Sequence, residues 1–339
     1  MSEDKKNDSF NVAWVEVGRP IGKYARNNMK IMGKMFPNLK QYLIADDGIG
    51  LNSVRLIDVR NVPPSDRTKQ FLAKEKTWPH KQQYFWLGTT SRFFHLYDAM
   101  RFFRLENVLH LETDSVLLDE TPIREFFQED NNHDLAYPLQ ASGIGCASIL
   151  LVKNHESLSK FLDFTLSNWT RNGVNDMTLL GEFAVRKEVL VLPTWPKKNG
   201  GNYFYDAQSI GKYFLGTDAR NCRLPFSKRG IIDQREGAIF PMLLNSENTW
   251  RIWSKNRQTL IQMESDAHIY SLANIHIHSK HIPKSPKRLI FLLNLGFGPK
   301  IPLVWRLGMF DRKVFTERLF SFISRRLLRR RDFEEKIFR

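Results

Sequence analysis

The segment Asn107-Val108-Leu109-His110-Leu111-Glu112-Thr113-Asp114-Ser115-Val116-Leu117-Leu118 limits most strongly what this chain can fold into. An apolar run of strand character ends in two carboxylates one residue apart, and a second apolar run follows at once. Side chains alternate between faces along a strand, so Glu112 and Asp114 leave on one side at its carboxyl end. Open α/β sheets bind ligands there, outside the carboxyl ends of the strands. Two hard oxygen donors at that spacing suit a divalent cation, and such an ion commonly holds phosphate oxygens. A strand that merely closes in a polar turn reads the same way, so other segments have to decide.

The flanking pattern is strand, helix, strand. Residues 12–17 have strand character, Gly18-Arg19-Pro20 is a turn, and 21–35 carry helical spacing up to Pro37. A strand over 42–45 ends in Asp46-Asp47-Gly48, a second polar cluster at a carboxyl end, and 54–59 predict a third strand before Pro63-Pro64. The charged stretch 69–83 reads as surface. Phe93, Leu96, Met100 and Phe103 give a helix over 89–104 one buried face, and that helix feeds the strand of the carboxylate pair. Further strands are expected over 134–138, 148–152 and 189–192, and further helices over 157–169 and from about Asn175. Strands alternating with helices imply a mostly parallel sheet covered on both faces.

The chain has 339 residues and a net charge of +15, unevenly spread. From Lys284 onward there are fifteen Lys and Arg against five Asp and Glu, so the first 283 residues are close to balanced. That shift divides the chain into a domain over 1–283 and a basic extension over 284–339. Two cysteines, Cys146 and Cys222, exclude a disulfide framework and fit a reducing compartment. The opening Met-Ser-Glu-Asp-Lys-Lys-Asn-Asp lacks the apolar core of a secretory signal, so the expected location is cytoplasmic. The apolar region 289–310 is interrupted by Pro299, Lys300, Pro302 and Arg306 and makes a poor transmembrane span.

Distant segments add chemistry to the carboxylate pair. In Asn274-Ile275-His276-Ile277-His278-Ser279-Lys280, a strand would place His276, His278 and Lys280 on one face. A neutral imidazole can complete a cation's ligand set, and Lys280 can meet a diphosphate as a point charge. The stretch Tyr203 to Asn221 crowds aromatic, amide, carboxylate and glycine residues together, including Asp206, Gln208, Asp218 and Arg220. Aromatic faces with planar polar groups suit a sugar, although a short helix over 206–213 capped by Asp206 explains the same residues. Asp176 opens a helix, either as a first-turn or capping acid or as a general base for an acceptor hydroxyl.

Taken together, residues 10–282 resemble the nucleotide-sugar-dependent glycosyltransferases of the GT-A fold. The resemblance is carried by the opening strand-helix-strand ending at Asp46 and by Arg92 to Met100 leading into His110-Leu111-Glu112-Thr113-Asp114. Gly145 to Leu151, Asn175-Asp176-Met177, Tyr205 to Asn221 and His276 to Lys280 complete it. It implies an α/β, Rossmann-like GT-A sheet and an Asp-x-Asp element that binds Mn²⁺ or Mg²⁺, here Glu-Thr-Asp, with Asp114 the firmer ligand and His278 a late one. It further implies that Asp46 meets the ribose or base and that Gly18 and Arg19 line the nucleotide pocket, with Arg92 and Asp98 either supporting it from the preceding helix or lying on that helix's surface. The expected donor is a nucleoside-diphosphate sugar, a UDP-sugar first among them, and the expected acceptor a glycan or a lipid-linked glycan. Asp176 would act as base if the transfer inverts configuration and would be structural if it retains.

The stretch 311–331 reads as a basic amphipathic helix, with Phe315, Leu319, Phe322, Ile323 and Leu327 on one side and Arg312, Arg318, Arg325, Arg329 and Arg330 on the other. Such a helix suits an anionic membrane surface, or packs back on the core. Two rival classes remain: a nucleic-acid binder using the tail, which the balanced core disfavours, and a metal-dependent nucleotidyltransferase using Glu112 and Asp114. Gly18-Arg19-Pro20-Ile21-Gly22-Lys23 is a weak version of the glycine-rich loop that the latter carries.

Overall fold

The computed structural model describes residues 10–75, 83–129, 132–140, 143–169, 174–194, 203–208, 210–211, 250–255, 258–263, 269–278, 280 and 282–289. The first elements are β1 (Asn11–Glu16), α1 (Lys23–Met35), β2 (Lys40–Ala45), β3 (Arg55–Asp58), α2 (Asp66–Glu75) and α3 (Gln83–Phe103). Next come β4 (Val108–Leu111), β5 (Ser115–Leu117), α4 (Thr121–Gln128), β6 (Leu135–Pro138), β7 (Ile149–Val152), α5 (His155–Asn168), α6 (Asp176–Ala184) and β8 (Leu190–Leu192). The last are β9 (Tyr203–Phe204), β10 (Trp250–Lys255), β11 (Gln258–Met263), β12 (Ile269–Leu272) and β13 (Asn274–His276).

Seven strands form the central sheet in the order β3-β2-β1-β4-β7-β6-β8. β1 pairs in parallel with both β2 and β4, β2 with β3, and β6 with β8. Only β7 runs against its neighbours β4 and β6. The mostly parallel α/β sheet expected from the sequence is therefore present. Its strands read as nearly unbroken apolar runs because both faces are covered. On one face Phe71 of α2, Phe93 of α3, Phe161 of α5 and Phe183 of α6 pack together, and on the other Met29 of α1 and Phe126 of α4 pack on Val12, Trp14 and Leu109.

The strand order carries the functional consequence. The chain winds from β1 to β2 to β3 in one direction, then returns past its start to lay β4 on the other side of β1. The winding reverses between β1 and β4, and such a switch point opens a crevice at the strands' carboxyl ends. Glu16 ends one strand there and Gly18 follows it, while Glu112 and Asp114 follow the other.

Three features depart from the sequence reading. The stretch 69–83, expected at the surface, includes most of α2, where fully buried Phe71 stacks on Phe94 at 4.3 Å. A second sheet, β10-β11-β12-β9, lies downstream, and β13 pairs antiparallel with β5. The strand expected to align His276, His278 and Lys280 ends at His276, after which the Lys280 amide bonds to the Ile277 carbonyl at 2.8 Å and Lys280 takes φ 60°. No helix among the described residues is long and apolar enough to cross a membrane.

Candidate functional site

The residues expected from the resemblance to line a nucleotide pocket meet at the corner formed by β1 and β2. Gly18, at φ +74° in the left-handed region that glycine adopts freely, donates its amide to the Asp46 carboxylate. Arg19 folds back onto buried Glu16 in a two-point ion pair, with Nη2 at 3.0 Å from Oε1. The same Glu16 oxygen accepts from Thr113 Oγ1 at 2.7 Å. Thr113 stands between Glu112 and Asp114, so a short hydrogen-bonded chain ties the Gly18 corner to the carboxylate pair across the switch point.

The loop bearing the carboxylates is fixed from below. Asn28 of α1, fully buried, donates one amide group to the carbonyls of Thr113 (3.1 Å) and Ser115 (2.7 Å). The β5–β13 ladder then brings a segment from far along the chain to this loop. Its register sets His276 opposite Ser115, and the Ile277 amide closes on the Asp114 carbonyl at 2.7 Å.

His276 is oriented by its own backbone contacts. Its Nδ1 faces the Ala207 carbonyl at 3.0 Å. A carbonyl can only accept, so Nδ1 carries the hydrogen, and the neutral ring turns the bare Nε2 outward. That Nε2 lies 3.4 Å from a Glu112 oxygen and 3.4 Å from an Asp114 oxygen. Two carboxylates thus flank one imidazole nitrogen, an arrangement that favours a positive charge at that point. A protonated ring meets that need, and burial, which disfavours it, is outweighed by Asp114, so His276 is held well above its ordinary range. A divalent ion meets it equally well. Donors each about 2.1 Å from one ion stand roughly 3–3.5 Å apart, and His276 Nε2 stands at such a distance from an oxygen of each carboxylate. Among the described residues, the group whose ligand atoms all lie within 4.8 Å of one another is Glu112, Cys146 and His276, so Asp114 joins Glu112 on one ion only after a side-chain adjustment. Carboxylate oxygen and imidazole are donor types that Mn²⁺ accepts more readily than Mg²⁺ does.

Burial pushes the Asp114 carboxyl up, but His276, with Lys280 and His278 behind it, more than offsets this and keeps it ionised below the usual carboxylate range. Burial acts likewise on Glu112 and is outweighed by Arg92 and His276. Lys280 Nζ lies 3.9 Å from Asp114 and 5.1 Å from the centre of the Tyr24 ring, at the site's partly open side. His278 sits within electrostatic reach of Asp114, its ring centroid 6.0 Å from that of His276.

Arg92 of α3 bridges two carboxylates with one guanidinium, Nη1 on Glu112 and Nη2 on Asp176 at 2.7 Å. Asp176 does not cap α6: Asn175 does, accepting the Thr178 amide at 2.9 Å, and Asp176 is a first-turn acid only 3% exposed. Burial raises its pKa and Arg92 only partly reverses the effect. So enclosed, Asp176 holds Arg92, which in turn holds Glu112. Asp98 accepts the Ser65 amide at 3.1 Å and serves the α2–α3 packing.

Asp206, expected to touch a sugar, is 1% exposed and spends its carboxylate on the amides of Ile210, Gly211 and His276 at 2.8–2.9 Å. Its companion Gln208 is buried. Gly211 lies so close to β13 that a Cβ there would stand 1.8 Å from the His276 carbonyl oxygen. Asp218 and Arg220 lie outside the described residues. Cys146, expected only as a reduced cysteine within the segment Gly145 to Leu151, places its thiol beside His276. Its neighbour Gly145 was the available signal, because a glycine before a buried cysteine marks a backbone pressed close to another element.

No family model matches the sequence, and no curated protein matches it significantly. Solved structures similar to this chain include the PaToxG glycosyltransferase, at 14% identity over 53% of this chain and 68% of that one, with a TM-score of 0.36. The apo-form glycosyltransferase GlyE of Streptococcus pneumoniae TIGR4 is 18% identical over 54% of this chain, with a TM-score of 0.37, and the match spans 45% of GlyE. A cytidylyltransferase from Leptospira borgpetersenii is 8% identical over 56% of this chain and 76% of that one, with a TM-score of 0.31.

Proposed function

We propose that this protein is a cation-dependent glycosyltransferase that moves a sugar from a nucleoside-diphosphate donor, a UDP-sugar first among them, to a glycan or lipid-linked acceptor. The observation that carries the reading is the placement of Glu112 and Asp114 on either side of His276 Nε2 at the switch point, with Thr113 between them hydrogen-bonded through Glu16 to the corner of Gly18, Arg19 and Asp46.

In this reading the nucleoside lies at the Asp46 and Gly18 corner, and the diphosphate runs from there toward Asp114 and Lys280. Glu112, Asp114 and His276 hold Mn²⁺ or Mg²⁺, with His278 close by. When bound, the ion supplies Lewis-acid stabilisation to the charge that grows on the departing diphosphate. Arg92 keeps Glu112 ionised and aimed, because its guanidinium is anchored at the other end by Asp176. Lys280, already near Asp114, reaches the diphosphate as a point charge. A unit charge pair at 4 Å is worth about 4 kcal/mol at an effective dielectric near 20. Only the part of that attraction that grows as the glycosidic bond breaks speeds the reaction. Asp206 acts by position, aligning β13, while Gln208, Asp218 and Arg220 remain the candidates for the sugar. For the basic stretch 284–339 we add contact with anionic lipid from the cytoplasmic side, on its sequence pattern alone.

The test is to incubate the full chain with Mn²⁺ and a panel of sugar nucleotides, with and without chelator. Cation-dependent release of nucleoside diphosphate, lost in Asp114→Asn, is the expected result. Pyrophosphate release from a nucleoside triphosphate and a sugar phosphate would instead assign a nucleotidyltransferase.

A further inference from the structure

Cys146 stands at the proposed cation site, and this reaction gives it no task. It is 2% exposed, and its thiol donates to the Ala207 carbonyl at 2.7 Å, the same oxygen that receives the His276 Nδ1–H. A shared acceptor fixes the sulfur beside the imidazole. One ligand atom each from Glu112, Cys146 and His276 lie within 4.8 Å of one another. The sulfur is also held from behind. The Cys146 amide bonds to the Pro138 carbonyl at 3.0 Å, and at Gly145 a Cβ would stand 2.2 Å from the Leu180 Cβ, so the backbone sits flush on α6.

His276 therefore faces two kinds of partner beside Glu112. Asp114 offers oxygen at 3.4 Å, and Cys146 completes with Glu112 and His276 a compact set that includes sulfur. Carboxylate oxygen suits Mg²⁺ and Mn²⁺, whereas thiolate selects Zn²⁺ and other thiophilic ions. We propose that the site takes cations in two ways, and that a thiophilic divalent ion uses Glu112, His276 and Cys146, drawing away from Asp114 and excluding the ion that serves transfer. This inference rests on the reading that Glu112 and His276 hold a cation. Forming the metal–sulfur bond replaces the sulfur–hydrogen bond: the proton leaves to solvent, both bonding electrons stay on sulfur, and no oxidant is needed. Zn²⁺ is then an inhibitor that competes with Mn²⁺.

The experiment is a Co²⁺ titration of the full chain, followed by calorimetry and by near-ultraviolet absorption, where thiolate-to-cobalt charge transfer is seen. The expected result is a charge-transfer band at one equivalent in the native protein and in Cys222→Ser, absent in Cys146→Ser. In parallel, the ratio of Zn²⁺ to Mn²⁺ affinity should fall roughly tenfold or more in Cys146→Ser, the scale on which ligand-shell changes act. Binding of Co²⁺ by the native protein without the band overturns the inference while leaving the oxygen-ligated site intact, and needs no variant to fold. A band that persists in Cys146→Ser, or vanishes in Cys222→Ser, also overturns it. Failure of the native protein to bind Mn²⁺, Co²⁺ or Zn²⁺ overturns the cation site itself, and this inference with it.

Discussion

Under the proposed function, single residues at this site divide into those that would meet the donor and those that hold others in place, and substitutions separate the two. Asp114→Asn keeps the side chain's shape and removes the charge facing His276 and Lys280. It should abolish transfer while changing unfolding free energy by no more than about 1 kcal/mol, as read from urea melts. Near-native turnover would remove Asp114 from the site. Arg92→Met should behave differently, since it leaves Glu112 and Asp176 enclosed without their shared counter-ion. Breaking a buried pair from one side costs about 3–5 kcal/mol, so a drop of that size is expected in the same melts. A Lys at this position lacks the planar fork that spans two carboxylates and should recover only part of the loss. The carboxylate pair could be read directly from the sequence because its spacing is local. The choice between His276 and His278 could not, since both share a face if the strand continues. The strand stops where the Ile277 amide is taken by Asp114, and the imidazole nitrogen facing both carboxylates belongs to His276.

At the level of elements, β13 is the piece on which the site depends, and its seat is set by close backbone contact. Gly211→Ala would press a methyl group into the His276 carbonyl, 1.8 Å away. A loss of about 1–3 kcal/mol, typical of overpacking, should accompany weakened Mn²⁺ binding measured by calorimetry. Gly88 in α3 is the contrasting case, with open space where its Cβ would be. Gly88→Ala should leave Mn²⁺ affinity alone and raise stability by about 0.5–1 kcal/mol, the usual gain inside a helix. The elements of the central sheet were legible because each declares itself over a few residues: apolar runs ended by turns, then one-sided helices. α2 was not, since its inward residues are Thr68, Phe71 and the partly buried Leu72, too few apolar positions among many charges to register a period. The β10–β12 sheet and the β13–β5 pairing depend on partners far away in sequence, which local patterns do not encode.

For the molecule as a whole, the boundary drawn at residue 283 meets a structural fact. Leu289 is fully buried with Ile282 and Leu272 in a third apolar cluster, so the chain just past that boundary packs on the domain. A membrane test should therefore use a chain that keeps Leu289, for instance one ending at Pro299. The full chain is expected to float with phosphatidylserine vesicles and the shortened one to remain in the soluble fraction, with the difference reduced by salt. Equal flotation of both would remove the lipid role of 300–339. The winding reversal between β1 and β4 could be anticipated only in outline, because the sequence specifies alternating strands and helices but leaves their lateral order open.

The antiparallel pairing of Asn274–His276 with Ser115–Leu117 joins segments about 160 positions apart. A polypeptide emerging from the ribosome would complete its seven-stranded sheet long before the imidazole arrives. Translation products cut short ahead of Asn274 should thus be sterile, folded enough to persist yet unable to spend a sugar nucleotide.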